Sequence, residues 1–117
     1  MSDSIQQLSR RIRTFSAARD WDVYHNAKDM AVAIAAEAGE LLQHFVWQQS
    51  EQIEERVNAR KSEITSEMAD VGILLFEMAD RLGIDLGAAM EQKIDLNEQR
   101  YPVEKSKGNN LKYNQLS

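Results

Sequence analysis

The chain reads as an all-α protein. Apolar residues recur at helical spacing with no strand-like alternation, Pro102 is the only proline, and Gly83-Ile84-Asp85 spells a helix stop followed by a cap. At 117 residues, a single domain spanning 1–117 is the default expectation. No repeat, low-complexity stretch or linker divides it.

A first helix is expected over Ser4–Arg19, capped by Asp3 or Ser4, with Ile5, Leu8, Ile12 and Phe15 as its buried stripe. An aromatic connection, Asp20–Ala27, carries Trp21, Tyr24 and His25. A second helix is expected over Asp29–Trp47. At about 100° per residue, Met30, Ile34, Leu41 and Phe45 share a face. Glu37 falls on that face and Glu40 at its edge, while Val32, Ala35 and Ala36 cover much of the opposite side. A helix apolar nearly all round is buried on more than one side, and in so small a chain a second subunit is the expected neighbour. Gly39 costs this helix about 1 kcal/mol of propensity, which close approach of a neighbouring helix would offset. The polar segment Gln48–Lys61 has room for a short helix at Glu51–Ala59. A third helix is expected over Ser62–Leu82, with Ile64, Met68, Val71, Leu75 and Met78 as its apolar stripe and Glu67 lying within it. A fourth runs from Leu86 to Arg100 or Tyr101, where Pro102 ends it. The tail, 103–117, shows little regular pattern.

Composition excludes several functions. A net charge of −5 argues against a nucleic-acid polymer bound across a broad basic surface. The absence of cysteine removes disulfides, thiolate metal sites and cysteine nucleophiles. No apolar run approaches the roughly 20 residues that span a bilayer, and Met1-Ser2-Asp3-Ser4 lacks a signal pattern, so a cytoplasmic protein with no membrane partner is expected.

Two helix-spaced carboxylate pairs stand out against this background: Glu37-Ala38-Gly39-Glu40 and Glu67-Met68-Ala69-Asp70. Residues three apart share a helix face. The first pair follows Ala31-Val32-Ala33-Ile34-Ala35-Ala36, and the second precedes Val71-Gly72-Ile73-Leu74-Leu75-Phe76. Packed side by side, two such helices would bring four anions together in apolar surroundings, at a cost in repulsion and desolvation. A hard divalent cation is the simplest compensation, and Mg2+ suits all-oxygen ligands. The alternative is an exposed acidic stripe on each helix.

Other groups point to an anionic ligand. Lys93, Asn97 and Arg100 share a face of the fourth helix at i, i+4 and i+7, where they form either a solvated face or a clamp for phosphate oxygens. Asn97 can instead read a base edge. Trp21 and Trp47 lie near element ends, either as core or as faces on which a nucleobase stacks. His25 and His44, with no His or Cys cluster around them, read as structural or solvated.

The matching stretches are Arg19-Asp20-Trp21 with His25 and Lys28; Glu37-Ala38-Gly39-Glu40-Leu41 leading to Phe45-Val46-Trp47; Glu67-Met68-Ala69-Asp70-Val71; Gly83-Ile84-Asp85-Leu86; and Lys93-Ile94 with Asn97, Arg100-Tyr101-Pro102, Lys107-Gly108 and Lys112-Tyr113. In this ordered set the chain resembles the MazG-like nucleoside triphosphate pyrophosphohydrolases, within them the small deoxycytidine triphosphate pyrophosphatase group. The resemblance implies a four-helix bundle of the all-α NTP pyrophosphatase type completed by subunit pairing, commonly a homotetramer built as a dimer of dimers. It implies hydrolysis between the α and β phosphates to a monophosphate and pyrophosphate, with dCTP or a related dNTP as substrate and nucleotide-pool sanitation as the role. It also implies Mg2+, with Mn2+ as a substitute, on Glu37, Glu40, Glu67 and Asp70, which are thereby the catalytic residues. Trp21, His25 and Trp47 match the parts around the base, with Lys28 a further substrate-binding residue; Lys93, Asn97 and Arg100 match helix-four nucleotide contacts; Lys112 and Tyr113 match a tail contact. Asp29 departs from an Asn common in relatives, and Leu74 from a Tyr found in some deoxycytidine-specific ones, which bears on base preference and not on the metal site. Two alternatives stand beside this reading: a dUTPase-like or phosphoribosyl-ATP-type pyrophosphohydrolase, and a non-catalytic helical interaction module.

Overall fold

The computed structural model describes residues 4–116, and among them every regular element is helical. They fall into two compact units that meet between Ile84 and Asp85. The first holds α1 (Ser4–Ala18), a 3-10 turn (Trp21–Tyr24), α2 (Ala27–Gln43), a second 3-10 turn (Ser50–Gln52), α3 (Ile53–Ala59) and α4 (Lys61–Arg81). The second holds α5 (Leu86–Arg100), the single turn α6 (Val103–Ser106) and a 3-10 turn (Tyr113–Gln115). The expected irregular tail thus contains two short helical turns. Asp3, one of the two expected caps of α1, lies outside the described residues. No helix among them is long and apolar enough to cross a membrane.

Local chemistry sets the helix ends. Asn26 caps α2: its Oδ1 accepts from the Asp29 amide at 2.8 Å, and its Nδ2 donates to the Asp29 carboxylate at 2.8 Å. This cap starts the helix two residues earlier than apolar periodicity alone suggests. At its other end α2 stops at Gln43 and not at Trp47. The amides of His44 and Phe45 turn to the carbonyls of Leu41 and Leu42, three residues back, so the last turn tightens and His44–Trp47 continue as turns. The stop after α4 forms as the sequence predicts. Gly83 takes a φ of 68°, the Ile84 amide reaches back to Ala79 O at 2.9 Å, and Asp85 accepts from the Ala88 amide at 3.1 Å to cap α5.

In the first unit α4 is the shared neighbour, packing most extensively on α2, then on α1, and least on α3. Met30 on α2, only 2% exposed, and Ile64 and Ala79 on α4 are the buried apolar residues. Two expected stripes are therefore corrected. On α1, Leu8 and Phe15 are about half exposed, and Ser16 is the buried residue. On α4, Ile64, Glu67, Val71 and Met78 are covered as expected, but Met68 and Leu75 face outward and Glu77 is buried. The reason is geometric: α1 and α2 together cover only part of α4. A Cβ on Gly39 would meet no atom within 4 Å, so no other helix of its own unit approaches it closely. Val32, Leu42, Val46 and Trp47 are likewise exposed, so among the described residues the first unit leaves the second apolar side of the α2 region uncovered.

Arg13 of α1 clamps Asp80 of α4 with two bonds, at 2.9 and 2.5 Å. That hydrogen bonding holds the Asp80 carboxyl below its ordinary range. The stabilisation is present above the ordinary carboxylate pKa and is lost as pH falls through the depressed value. Met30 gives the sharpest test of the packing. Met30→Ala should destabilise the protein by about 2–5 kcal/mol in urea unfolding, because a buried side chain leaves a cavity. A loss below about 0.5 kcal/mol, the range of surface substitutions, would remove Met30 from the core.

Candidate active site

Packing α2 against α4 brings the two predicted carboxylate pairs into one electrostatic cluster. Glu37 is half-buried, and its Oε2 is sealed from solvent with no hydrogen-bond partner. Burial pushes its carboxyl above the ordinary range, and the charges of Glu40, Asp70 and Glu67 push it further. Glu40 also accepts a hydrogen bond that Glu37 can offer only when protonated. Glu67 Oε2 is equally sealed and has no aligned hydrogen bond. A sealed, unpartnered carboxylate oxygen at Glu37, set among like-charged neighbours, suits a hard cation, which needs oxygen donors and removes the repulsion. As they stand, no three His, Asp or Glu side chains among the described residues already form a metal-holding group.

Beside this cluster lies a residue the sequence reading set aside. His44 is 9% exposed, and its Nε2 stands 2.5 Å from Glu67 Oε2. Its carbonyl accepts from Arg56 Nε of α3 at 2.7 Å, which fixes the turn that follows α2. The only sequence signal was its place one helical turn beyond Glu40.

A second polar cluster centres on Glu77 of α4, a carboxylate only 6% exposed. Its Oε1 gathers Ser16 Oγ at 3.1 Å, His25 Nδ1 at 2.7 Å and Arg81 Nη2 at 3.0 Å. Arg81 also pairs with Asp22, in the same 3-10 turn as Trp21. Burial opposes the Arg81 charge, but its bonds to Asp22 and Glu77 outweigh that and hold the guanidinium above its usual value. His25 is therefore held by a buried ion-pair network and is not simply solvated. Trp21 meets Phe15 and His25 edge-on, at 5.5 and 6.5 Å between ring centroids. Trp21, His25 and Glu77 line one cavity of about 780 Å³, with Phe15, Leu74 and Phe76 among its apolar walls.

The remaining predicted residues are placed as follows. Lys28 is exposed in the first turn of α2, and Trp47, at 86% exposure, stands free beyond the end of that helix. Lys93, Asn97 and Arg100 are exposed on α5 in the second unit. There Arg100 stacks over the Tyr113 ring, 4.5 Å from its centroid, and Tyr101 meets the same ring edge-on. Lys112 opens the turn that carries Tyr113. The predicted helix-four and tail groups are thus joined through Arg100 and Tyr113.

Comparison with known proteins gives this geometry a family. The profile of the MazG-like family matches residues 32–116, which include all four carboxylates. The chain belongs to the MazG-like family. It is 34% identical to dCTP pyrophosphatase 1 of Rattus norvegicus over 120 residues, covering 97% of this chain and 68% of that protein. Against dCTP pyrophosphatase 1 of Homo sapiens the identity is 30% over 115 residues, with the same coverage. A crystal structure of a pyrophosphatase from Archaeoglobus fulgidus superposes with a TM-score of 0.82 at 35% identity, over 87% of this chain and 95% of that one.

The raised Glu37 carboxyl of this MazG-like chain has a consequence for stability. A carboxyl whose folded pKa is raised binds its proton more tightly in the folded state. Stability is therefore fullest below the ordinary carboxylate pKa and falls as pH rises through the raised one. Glu37→Gln removes that loss. In EDTA at neutral pH the variant should melt above wild type, and the difference should close under acid conditions where Glu37 is protonated. A variant that melts lower at neutral pH, with no such convergence, would show that Glu37 is not under electrostatic stress.

Proposed function

We propose that this MazG-like pyrophosphohydrolase cleaves dCTP and closely related deoxynucleoside triphosphates between the α and β phosphates, using Mg2+ held by Glu37, Glu40, Glu67 and Asp70. One observation carries the reading: the sealed, unpartnered oxygen of Glu37 on α2, facing a buried Glu67 oxygen on α4 whose one close neighbour is His44, in a cluster whose charges raise the Glu37 pKa. The substrate comes from the relatives, which are named dCTP pyrophosphatases.

When bound, the cation neutralises triphosphate charge and makes the α-phosphorus more electrophilic. The protein's own part is positioning and charge, as in phosphoryl transfer generally, and no covalent nucleophile is required. One of the four carboxylates orients the attacking water and draws off its proton. Lys93 and Arg100 supply donors for phosphate oxygens, and Arg100 is already held in place by Tyr113. Asn97, Lys112 and Tyr113 are further nucleotide contacts. Trp21, His25, Lys28 and Trp47 serve the base side. The exposed apolar surface at Val32, Leu42, Val46 and Trp47 supports subunit pairing, proposed here as a homotetramer. The setting proposed is the cytoplasm, where the enzyme would remove unwanted nucleotides from the pool.

Incubation with each standard nucleoside triphosphate in Mg2+ should release pyrophosphate and not orthophosphate, fastest from a cytosine deoxynucleotide, and EDTA should stop it. Glu40→Gln and Glu67→Gln, folded, should each lose at least about a hundredfold in kcat. A folded wild-type protein that releases no pyrophosphate from any of them, or a Glu67→Gln variant at full rate, would overturn the proposal.

A further inference from the structure

The Glu77 cluster has no part in the hydrolytic chemistry, yet its geometry bears on the base. Glu67, Asp70, Leu74 and Glu77 follow one another at i, i+3, i+7 and i+10 on α4. Glu77 therefore lies on nearly the same side of the helix as Asp70, about 10 Å further along it. That is close to the span from an α-phosphate across the sugar to the far edge of a pyrimidine. Trp21, His25 and Glu77 share the walls of one cavity at this end of the helix.

The hydrogen bonds decide what His25 can offer there. Glu77 Oε1 also accepts from Ser16 Oγ and from the Arg81 guanidinium, so this oxygen acts as an acceptor. Arg81 Nη2, a donor, also lies 3.4 Å from His25 Nδ1, but the carboxylate oxygen at 2.7 Å is much the closer partner and places the proton on Nδ1. In the neutral ring Nε2 is then a bare lone pair, and no group among the described residues bonds to it. A bare lone pair accepts. It suits a base edge that presents an exocyclic amino group and meets a carbonyl at the same place lone pair to lone pair.

We propose that Glu77 is a positioning residue for base selection: by fixing the proton of His25 on Nδ1 it makes Nε2 an acceptor and biases the enzyme toward bases with an exocyclic amino group over those with a carbonyl there. This rests on the reading that His25 faces the base of a nucleotide substrate. Arg81 assists twice, since it balances the Glu77 charge and, through Asp22, ties the His25-bearing turn to α4. Sequence reading missed the arrangement because the partners lie far apart along the chain, at Ser16, His25 and Glu77.

The test compares Glu77→Gln with wild type on dCTP and dUTP. Ser16 and Arg81 keep the glutamine oxygen toward Nδ1, but a neutral amide holds the Nδ1 proton less firmly than a carboxylate, so the proton is released toward Nε2. The kcat/KM ratio of dCTP to dUTP should fall by about tenfold, the worth of one hydrogen bond, through a higher KM for dCTP with kcat within about twofold. A merely structural role would weaken both substrates alike, and an unchanged ratio would overturn the proposal. The second measurement needs no variant. Imidazole nitrogen NMR of wild-type protein should show neutral His25 protonated on Nδ1, and protonation on Nε2 would overturn the proposal even if Glu77→Gln fails to fold. Wild-type protein without activity on any triphosphate would remove the functional reading and this proposal together. Wild-type activity with an unchanged ratio would remove this proposal alone.

Discussion

Everything at the candidate site depends on the packing of α2 against α4. That contact sets Glu37 and Glu67, each with one oxygen sealed from solvent, beside the exposed carboxylates of Glu40 and Asp70. Apolar burial on the same helices, led by Met30 and Ile64, opposes the repulsion. The fold thus holds in place an arrangement that is locally unfavourable, as sites built for charged ligands commonly do. Glu37 carries most of the stress, since it combines burial with three acidic neighbours.

α4 organises the rest of the first unit in the same way. Toward α2 it presents Glu67 and Asp70; toward α1 it presents Asp80, clamped by Arg13; toward the Trp21–Tyr24 turn and His25 it presents Glu77 and Arg81. A 3-10 turn has few internal bonds to hold its shape. Here the shape is imposed from outside, by the Asp22–Arg81 pair and the His25–Glu77 bond, and Asp20 enters the turn with a φ of 53°, in the left-handed region. One helix therefore fixes both the carboxylate cluster and the aromatic turn, and their spacing is set by its rise per residue.

Features written in local chemistry were legible in the sequence. The Gly83 stop and the Asp85 cap are one-turn signals and stand where expected. Both carboxylate pairs could be read as facing groups because the i, i+3 spacing leaves one choice of face. The end of α2 was not legible, since nothing in His44-Phe45-Val46-Trp47 forbids another helical turn. It is set by amides that reach back three residues and by Arg56 on the His44 carbonyl, twelve positions away in sequence. The apolar stripes of α1 and α4 were only partly right for a related reason. Periodicity identifies a face but not whether a neighbour covers it, and Leu8, Phe15, Met68 and Leu75 are apolar yet exposed among the described residues of the first unit. Ser16 and Glu77 are the reverse case, polar residues buried because each satisfies the other.

The carboxylate cluster is most directly tested by anomalous diffraction from crystals soaked in Mn2+, an ion that replaces Mg2+ at all-oxygen sites and can be located without ambiguity. A strong peak enclosed by Glu37, Glu40, Glu67 and Asp70, with Glu37 Oε2 and Glu67 Oε2 turned toward it, is the predicted result. Mn2+ bound elsewhere with those four side chains unmoved, or no ordered ion at all, would contradict it.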